Sequence, residues 1–380
     1  MSAAALFLLI TTVTLPTLPA NGATPAERRI TRARQALEVA PDRADAHVEL
    51  AFALGARARE TSDPRYYDEG QRAVQEALRI SPGSFEAAKA RVWLRLGRHE
   101  FEPARVEAEA LRERAPDDPL VYAFLVDAHV ELGNYREAEE AAQWLLNLRS
   151  GGVASLTRVA YLRELFGDLE GARELMQRAL ERTSLEETED RSWLLTQIAH
   201  LHLLDGHVAE AERAVGEALA TFPDYHYALA LLARVRTAQG RAADAADLLR
   251  RRHEAAPHPE NLYELAVALK RAGRSSEARE TFRRFETAAR AEMEGHDNAN
   301  RELIFYYADH ARRPAEALRV ATLESRRRRD VYTRAAYAWA LHVNGRRREA
   351  RAEMNAALAV GVRDPEVLRR ARVIGARAAR

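Results

Sequence analysis

Residues 206–257 read GHVAEAERAVGEALATFPDYHYALALLARVRTAQGRAADAADLLRRRHEAAP, and they carry one pattern twice. Each copy opens with a glycine followed five residues later by alanine, Gly206 with Ala211 and Gly240 with Ala245, and ends in a proline, Pro223 and Pro257. Glycine to glycine and proline to proline are both 34 residues. The glycine supplies the positive φ that ends one helix. The alanine sits where two helices approach closely, and the proline stops the second helix and opens the next unit. Each unit therefore reads as two helices of about 12 to 15 residues joined by a tight turn. One such pair cannot bury its apolar face alone, so the units must stack.

The same marks recur outward in both directions. The glycine–alanine pair appears as GNYREA (133–138), GDLEGA (167–172), GRSSEA (273–278) and GRRREA (345–350). Pro41, Pro82 and Pro116 repeat the closing proline, and Pro82 to Pro116 is again 34 residues. Seven residues before the glycines stand Ala160, Ala199, Ala233, Ala266 and Ala338, with Val126 as the exception. The units fall at about 43–81, 84–115, 118–149, 152–183, 188–222, 225–256, 258–290, 298–326 and 331–361, after a lone helix at 25–40 and before a capping helix at 365–378. Four features depart from the pattern. The first unit has seven extra residues and Gly70 in place of its second-helix alanine. Ala104 follows Gly97 by seven residues, not five. Residues 181–190 and 292–300 lengthen two connections, and Arg312 stands where a glycine is expected.

A 34-residue helix–turn–helix with this Ala…Gly…Ala…Pro spacing resembles the tetratricopeptide repeat family. The resemblance recurs in register from about residue 25 to 362, within a repeat domain taken as 24–380. It implies an all-α, right-handed superhelical solenoid of about nine helix hairpins plus a C-terminal cap, with the first helix of each unit lining a concave groove. The family's groove positions are found by counting back from each turn glycine, with Arg312 taken as one. The candidates for groove contact are Arg91, Arg95, Asp127, Tyr161, Trp193, His200, Tyr227, Arg234, Tyr263, Tyr306, Tyr332, Trp339 and His342. Glu131, Glu164, Thr196, Thr237, Lys270 and Asp309 share such positions. Aromatic and arginine side chains in a groove act as anchors for a bound peptide. The family's carboxylate clamp for chaperone tails needs Lys and Asn where this chain has Ala, Thr, Arg or aromatics, so that ligand is not expected.

Composition narrows the function. The chain has 380 residues, 47% apolar and 30% charged, with net charge +1 and no cysteine. Disulfides and thiolate chemistry are excluded, and a coat for nucleic acid is not expected. No G-x-S-x-G, P-loop or G-x-G-x-x-G occurs. His200, His202 and His207 form the one histidine cluster, but on a helix 200 and 202 diverge and 200 and 207 lie about 10 Å apart. Neither metal nor other cofactor is expected. Residues Ala3–Ala20 are uncharged and precede small residues, which reads as a secretory signal peptide over 1–23; Pro16 and Pro19 break the run and disfavour a permanent anchor. The expected role is a non-catalytic binding scaffold or adaptor for a protein or peptide, exported to a bacterial periplasm or secreted. The alternative is an accessory subunit of an envelope enzyme or an export complex, for example in polysaccharide export.

Charge is uneven along the chain. Residues 1–190 hold 24 basic against 32 acidic side chains, and residues 191–380 hold 34 against 25. In a solenoid, chain position maps onto position along the axis. The expectation is an elongated charge dipole that a solenoid cannot mix, with basic C-terminal units docking an acidic partner segment. Head-to-tail self-association is the second expectation.

Overall fold

The computed structural model describes residues 22–377, and every regular element among them is helical. The expected signal segment lies outside the described residues apart from its last two. Helix α1 (Pro25–Val39) leads, and nine pairs follow. They are α2 (Ala44–Thr61) with α3 (Arg65–Ile80), α4 (Phe85–Gly97) with α5 (Phe101–Arg114), and α6 (Pro119–Glu131) with α7 (Tyr135–Arg149). Next come α8 (Val153–Leu165) with α9 (Leu169–Arg182), α10 (Thr188–Leu204) with α11 (Val208–Thr221), and α12 (His226–Ala238) with α13 (Ala242–Ala255). The last are α14 (Pro259–Arg271) with α15 (Ser275–Glu292), α16 (Asn300–Phe305) with α17 (Pro314–Glu324), and α18 (Val331–Val343) with α19 (Arg347–Leu358); α20 (Pro365–Ile374) ends the stack.

Helix starts follow the sequence chemistry. Asp118, Asp330 and Asp364 each accept two backbone N–H groups of the helix they open, satisfying donors that would otherwise be orphaned. The turn alanines Ala172, Ala211, Ala245 and Ala278 are buried in the helix packing. The turn glycines have positive φ, Gly240 at 78°. Two departures resolve at this level. In the second pair the left-handed residue is His99 (φ 59°), while Gly97 is still helical, so Ala104 follows its turn residue by the usual five. In the eighth pair Arg312 (φ 54°) takes the left-handed position directly, after a π-helical turn at Tyr306–His310 that adds a residue to the first helix.

The stack winds so that charges far apart in the chain meet. The superhelix closes on itself, and its first half shares one apolar core with its last. Phe124, Leu125 and Leu145 belong to the same cluster as Trp339, Met354 and Ile374. The Arg329 N–H donates to the Glu131 carbonyl (3.0 Å), and the Val331 N–H donates to the Tyr135 hydroxyl (2.8 Å). Arg59 pairs with Glu189 and Asp190, Arg29 with Glu187, and Arg328 with Glu131. Opposite charges far apart in the chain thus meet across a seam.

Glycine makes the seam possible. A Cβ on Gly133 would lie 2.5 Å from the Arg329 carbonyl oxygen, and one on Gly361 would lie 2.6 Å from that of Phe166. Gly240 has the same positive φ as Gly133 but open space around it. Gly240→Ala should therefore cost only the left-handed backbone penalty, about 1–2 kcal/mol. Gly133→Ala adds backbone collision across the seam, so it should lower the melting temperature further and lengthen the particle in small-angle scattering. Equal melting temperatures and unchanged dimensions for the two variants would show that the seam does not bear on Gly133.

Candidate functional site

Because the superhelix closes, its concave face becomes an internal channel with two chambers. The smaller, of about 330 Å³, lies among α2, α3, α4, α6 and α8 and is lined by Tyr67, Trp93, His99, Asp127, Glu131 and Tyr161, with Tyr227 and Arg328 reaching in across the seam. The larger, of about 1110 Å³, lies among α12, α14, α18 and α20 and is lined by His200, Arg234, Tyr263, Tyr332 and Trp339. A third space joins them, sharing Tyr161, Tyr227 and Arg328 with the first and Arg301, Glu302 and Tyr332 with the second.

Eight of the thirteen candidates are thus brought together on the channel: Asp127, Tyr161, His200, Tyr227, Arg234, Tyr263, Tyr332 and Trp339. Five are not. Arg91 and Arg95 both pair with Glu107 of α5, facing their own hairpin partner. They were counted from Gly97; counting six back from His99 gives Trp93, which does line the smaller chamber. Tyr306 turns onto α15, where its hydroxyl donates to Glu286 (3.1 Å) and its ring packs on Phe282 and Phe285. The π turn shifts the groove position back by one, so Phe305 lines the channel in its place. Trp193, in the long helix α10, packs into the apolar clusters with Leu180 and Ala214. His342 stacks behind Trp339 (5.3 Å between rings).

Other channel residues lay beyond the counting rule. Arg59 is three residues before Ser62, the left-handed residue that ends α2 (φ 51°). Tyr67 comes from a second helix and enters because Gly97 has no side chain; a Cβ there would meet the Tyr67 ring at 2.5 Å. Arg370 of α20 lies 3.8 Å over the Phe305 ring and pairs with Asp309, which also accepts from the Trp339 indole N–H (2.7 Å).

The two chambers differ in electrostatics. Arg234, Lys270 and Arg271 all line the larger, and none has an ion-pair partner among the described residues. Arg234 and Lys270 lie against histidine ring nitrogens instead, His200 Nδ1 at 3.4 Å and His310 Nδ1 at 3.2 Å. Burial, helped by Lys270, lowers the His310 pKa, so that ring stays neutral and accepts. The smaller chamber carries carboxylates that are incompletely neutralised. Asp127 meets Arg158 at 2.6 Å, whereas Glu131 lies 3.6 Å from Arg328 and makes no side-chain hydrogen bond among the described residues. Burial pushes the Glu131 carboxyl up to about 7, with Asp330 adding to the push and Arg328 opposing it. The hydroxyls of Tyr161, Tyr227, Tyr263 and Tyr332 have no hydrogen-bond partner among the described residues, and burial pushes Tyr227 up to about 12.

No protein-family model matches the chain, and no curated protein matches its sequence. Solved structures do match its fold. The chain is similar to the APC/C hetero-tetramer Cut9–Hcn1 at TM-score 0.56 and 12% identity over 92% of its own length, and it spans 60% of the chain matched there. It is similar to the human IFIT1 dimer with PPP-AAAA at TM-score 0.53 and 13% identity, covering 89% of this chain and 95% of that one. The human IFIT1 dimer with m7Gppp-AAAA gives TM-score 0.53 and 13% identity over 88% and 86%. The fold is a tetratricopeptide-repeat α-solenoid.

Two groups near the seam titrate in opposite senses. His226 Nε2 faces the Arg59 carbonyl at 3.0 Å, and burial pulls its pKa down to about 4. Its contribution to stability is complete above the unfolded value near 6.5 and is lost as pH falls toward 4. Glu131 is raised, so its contribution is complete below about 4.5 and is lost as pH rises through 7. The melting temperature should therefore peak between about pH 5 and 6 and fall on both sides. His226→Gln should flatten the acid limb and Glu131→Gln the alkaline limb in melts across that range; limbs unchanged in both variants would assign the titration elsewhere.

Proposed function

We propose that this chain is a non-catalytic scaffold that draws an acidic, extended protein segment into its channel, with the larger chamber as the point of capture. One observation carries this reading: three cations without ion-pair partners among the described residues, Arg234, Lys270 and Arg271, share a chamber with Tyr263, Tyr332 and Trp339. Arginine with tyrosine and tryptophan is the usual chemistry of interface anchors, and a chamber of about 1110 Å³ has room for several side chains. The joining space shares lining residues with both chambers, so a segment that runs through it would contact many units at once. Its charges also make capture sensitive to salt.

The test uses fluorescence anisotropy of a labelled glutamate- and aspartate-rich peptide with the full chain. Binding should weaken as salt rises. Replacing Arg234, Lys270 and Arg271 together by alanine should weaken it by more than about tenfold, while the melting temperature holds. Salt-insensitive binding, or binding that survives the triple substitution, rejects the site. The IFIT1 structures with PPP-AAAA and m7Gppp-AAAA make an oligoadenylate the informative competitor. If it binds far more tightly than the acidic peptide, the protein-segment reading fails.

The proposal includes an exported chain, supported by the uncharged run Ala3–Ala20 and the small residues after it. The mature protein should then begin near Asn21 or Thr24, and its intact mass should be lower than that of the full chain by the leader. Native protein that retains Met1 and fractionates with membranes would count against export by a cleaved signal.

A further inference from the structure

The smaller chamber has chemistry of its own, opposite in sign to that of the larger. Asp127 and Glu131 stand four residues apart on α6 and so face the same way. Two carboxylates, Asp127 and Glu131, and three arginines, Arg59, Arg158 and Arg328, line this chamber. Two of those arginines are already claimed from behind the wall: Arg59 by Glu189 and Asp190, and Arg328 by Glu324 at 2.8 Å. Arg158, at 2.6 Å from Asp127, is then the one arginine of the chamber left to two carboxylates, with Arg328 no nearer than 3.6 Å to Glu131, so the chamber is short of positive charge. Around it stand the rings of Tyr67, Trp93, Tyr161 and Tyr227, whose π faces attract a cation. No group of three acidic or histidine side chains among the described residues is arranged to hold a metal ion. The missing charge is better supplied by an organic group than by a bare ion.

We propose that the smaller chamber binds an organic ammonium, a charged amine on a short apolar stem, with Asp127 and Glu131 as its counter-charges and the rings of Tyr161 and Tyr227 as walls. Its volume of about 330 Å³ lies at the small end of ligand cavities. The titration of the two acids supports the same conclusion. Both are raised by burial; had the surrounding arginines neutralised them, both would be lowered. Glu131 is faced by Asp127 on its own helix, Tyr135 of α7, Tyr161 of α8, Arg301 of α16, and Arg328 and Asp330 before α18. An arriving ammonium tips this balance toward the ionised carboxylate, so it should bind better where Glu131 is already deprotonated. Because Tyr227 and Arg328 reach this chamber from across the seam, the ligand would touch both turns of the superhelix. This inference does not rest on capture of an acidic segment in the larger chamber.

The probe is 2-phenylethylammonium, with N-acetyl-2-phenylethylamine as its uncharged analogue, titrated calorimetrically into the full chain at about pH 8 and about pH 6. The ammonium should bind at least about tenfold more tightly than the analogue, and more weakly at the lower pH. Asp127→Asn and Glu131→Gln should each remove most of that preference. Glu131→Gln is the safer of the two for folding, since burial already favours the uncharged side chain; its melt is recorded alongside. Arg283→Ala, on the exposed face of α15, should leave the preference unchanged. Equal binding of the acetylated analogue, no binding of the ammonium, or a preference indifferent to both carboxamide substitutions overturns the proposal.

Discussion

Backbone meets backbone where the superhelix returns to itself, and the channel depends on that contact. At Gly133 against Arg329, and at Gly361 against Phe166, main chains come closer than any β-carbon would permit. A β-carbon at either point would collide with main chain across the seam, so the close approach needs glycine there. In an open spiral the first helices of the units would present a solvated groove. In the closed tube those faces look at one another, and residues from units far apart in sequence, such as Tyr67 and Tyr227, line one chamber. The turn glycines of these units therefore meet two demands, a left-handed backbone and a close approach, whereas Gly240 meets only the first.

Closure also rearranges the charges. A net of +1 conceals an acidic first half and a basic second half. Arg328 with Glu131 brings the two together across the seam, and Arg59 with Glu189, both of the first half, adds a second ion pair there. Buried pairs of this kind gain little net stability, because desolvation offsets most of their attraction. They do penalise misregister heavily, since a slipped seam would leave buried charges unpaired. The charges left over are sorted by chamber, with cations unpaired among the described residues around Trp339 and Tyr263 and under-compensated carboxylates around Tyr161. The channel thus carries leftover charge of opposite sign in its two chambers even though the molecule as a whole is nearly neutral.

Much of this was legible in the sequence, for a physical reason. Helix ends are set by local chemistry, and glycine, proline and capping aspartates state them within a few residues of where they act. The places where reading failed show what the marker really is. His99 and Arg312 take up the left-handed turn without being glycine, so the conformation defines the unit and glycine is its commonest occupant. Misplacing that turn by two residues moved the groove candidates onto Arg91 and Arg95, which face α5. The π turn at Tyr306–His310 had the same effect one residue at a time, exchanging Phe305 for Tyr306. Closure of the superhelix was not legible at all. It arises from small rotations between successive units that accumulate over the whole stack, and no short stretch of sequence encodes their sum.

The seam and the channel are one thermodynamic system. The smaller chamber is walled by α2, α3, α4, α6 and α8 on one turn, and by Tyr227 and Arg328 from the rest of the chain. The lining of the larger chamber comes entirely from α10 onward. A ligand in the smaller chamber makes contacts that exist only while the turns are together, so its binding energy adds to the stability of the seam. A ligand confined to the larger chamber has no such requirement and reaches the seam only through the joining space of Arg301, Glu302 and Tyr332. Coupling between the two chambers is then set by how far those three side chains shift with the seam, and by reciprocity it acts equally in both directions. A repeat protein of this kind gains from closure what an open groove lacks: occupancy at one place changes the free energy of a contact made by residues roughly half the chain away.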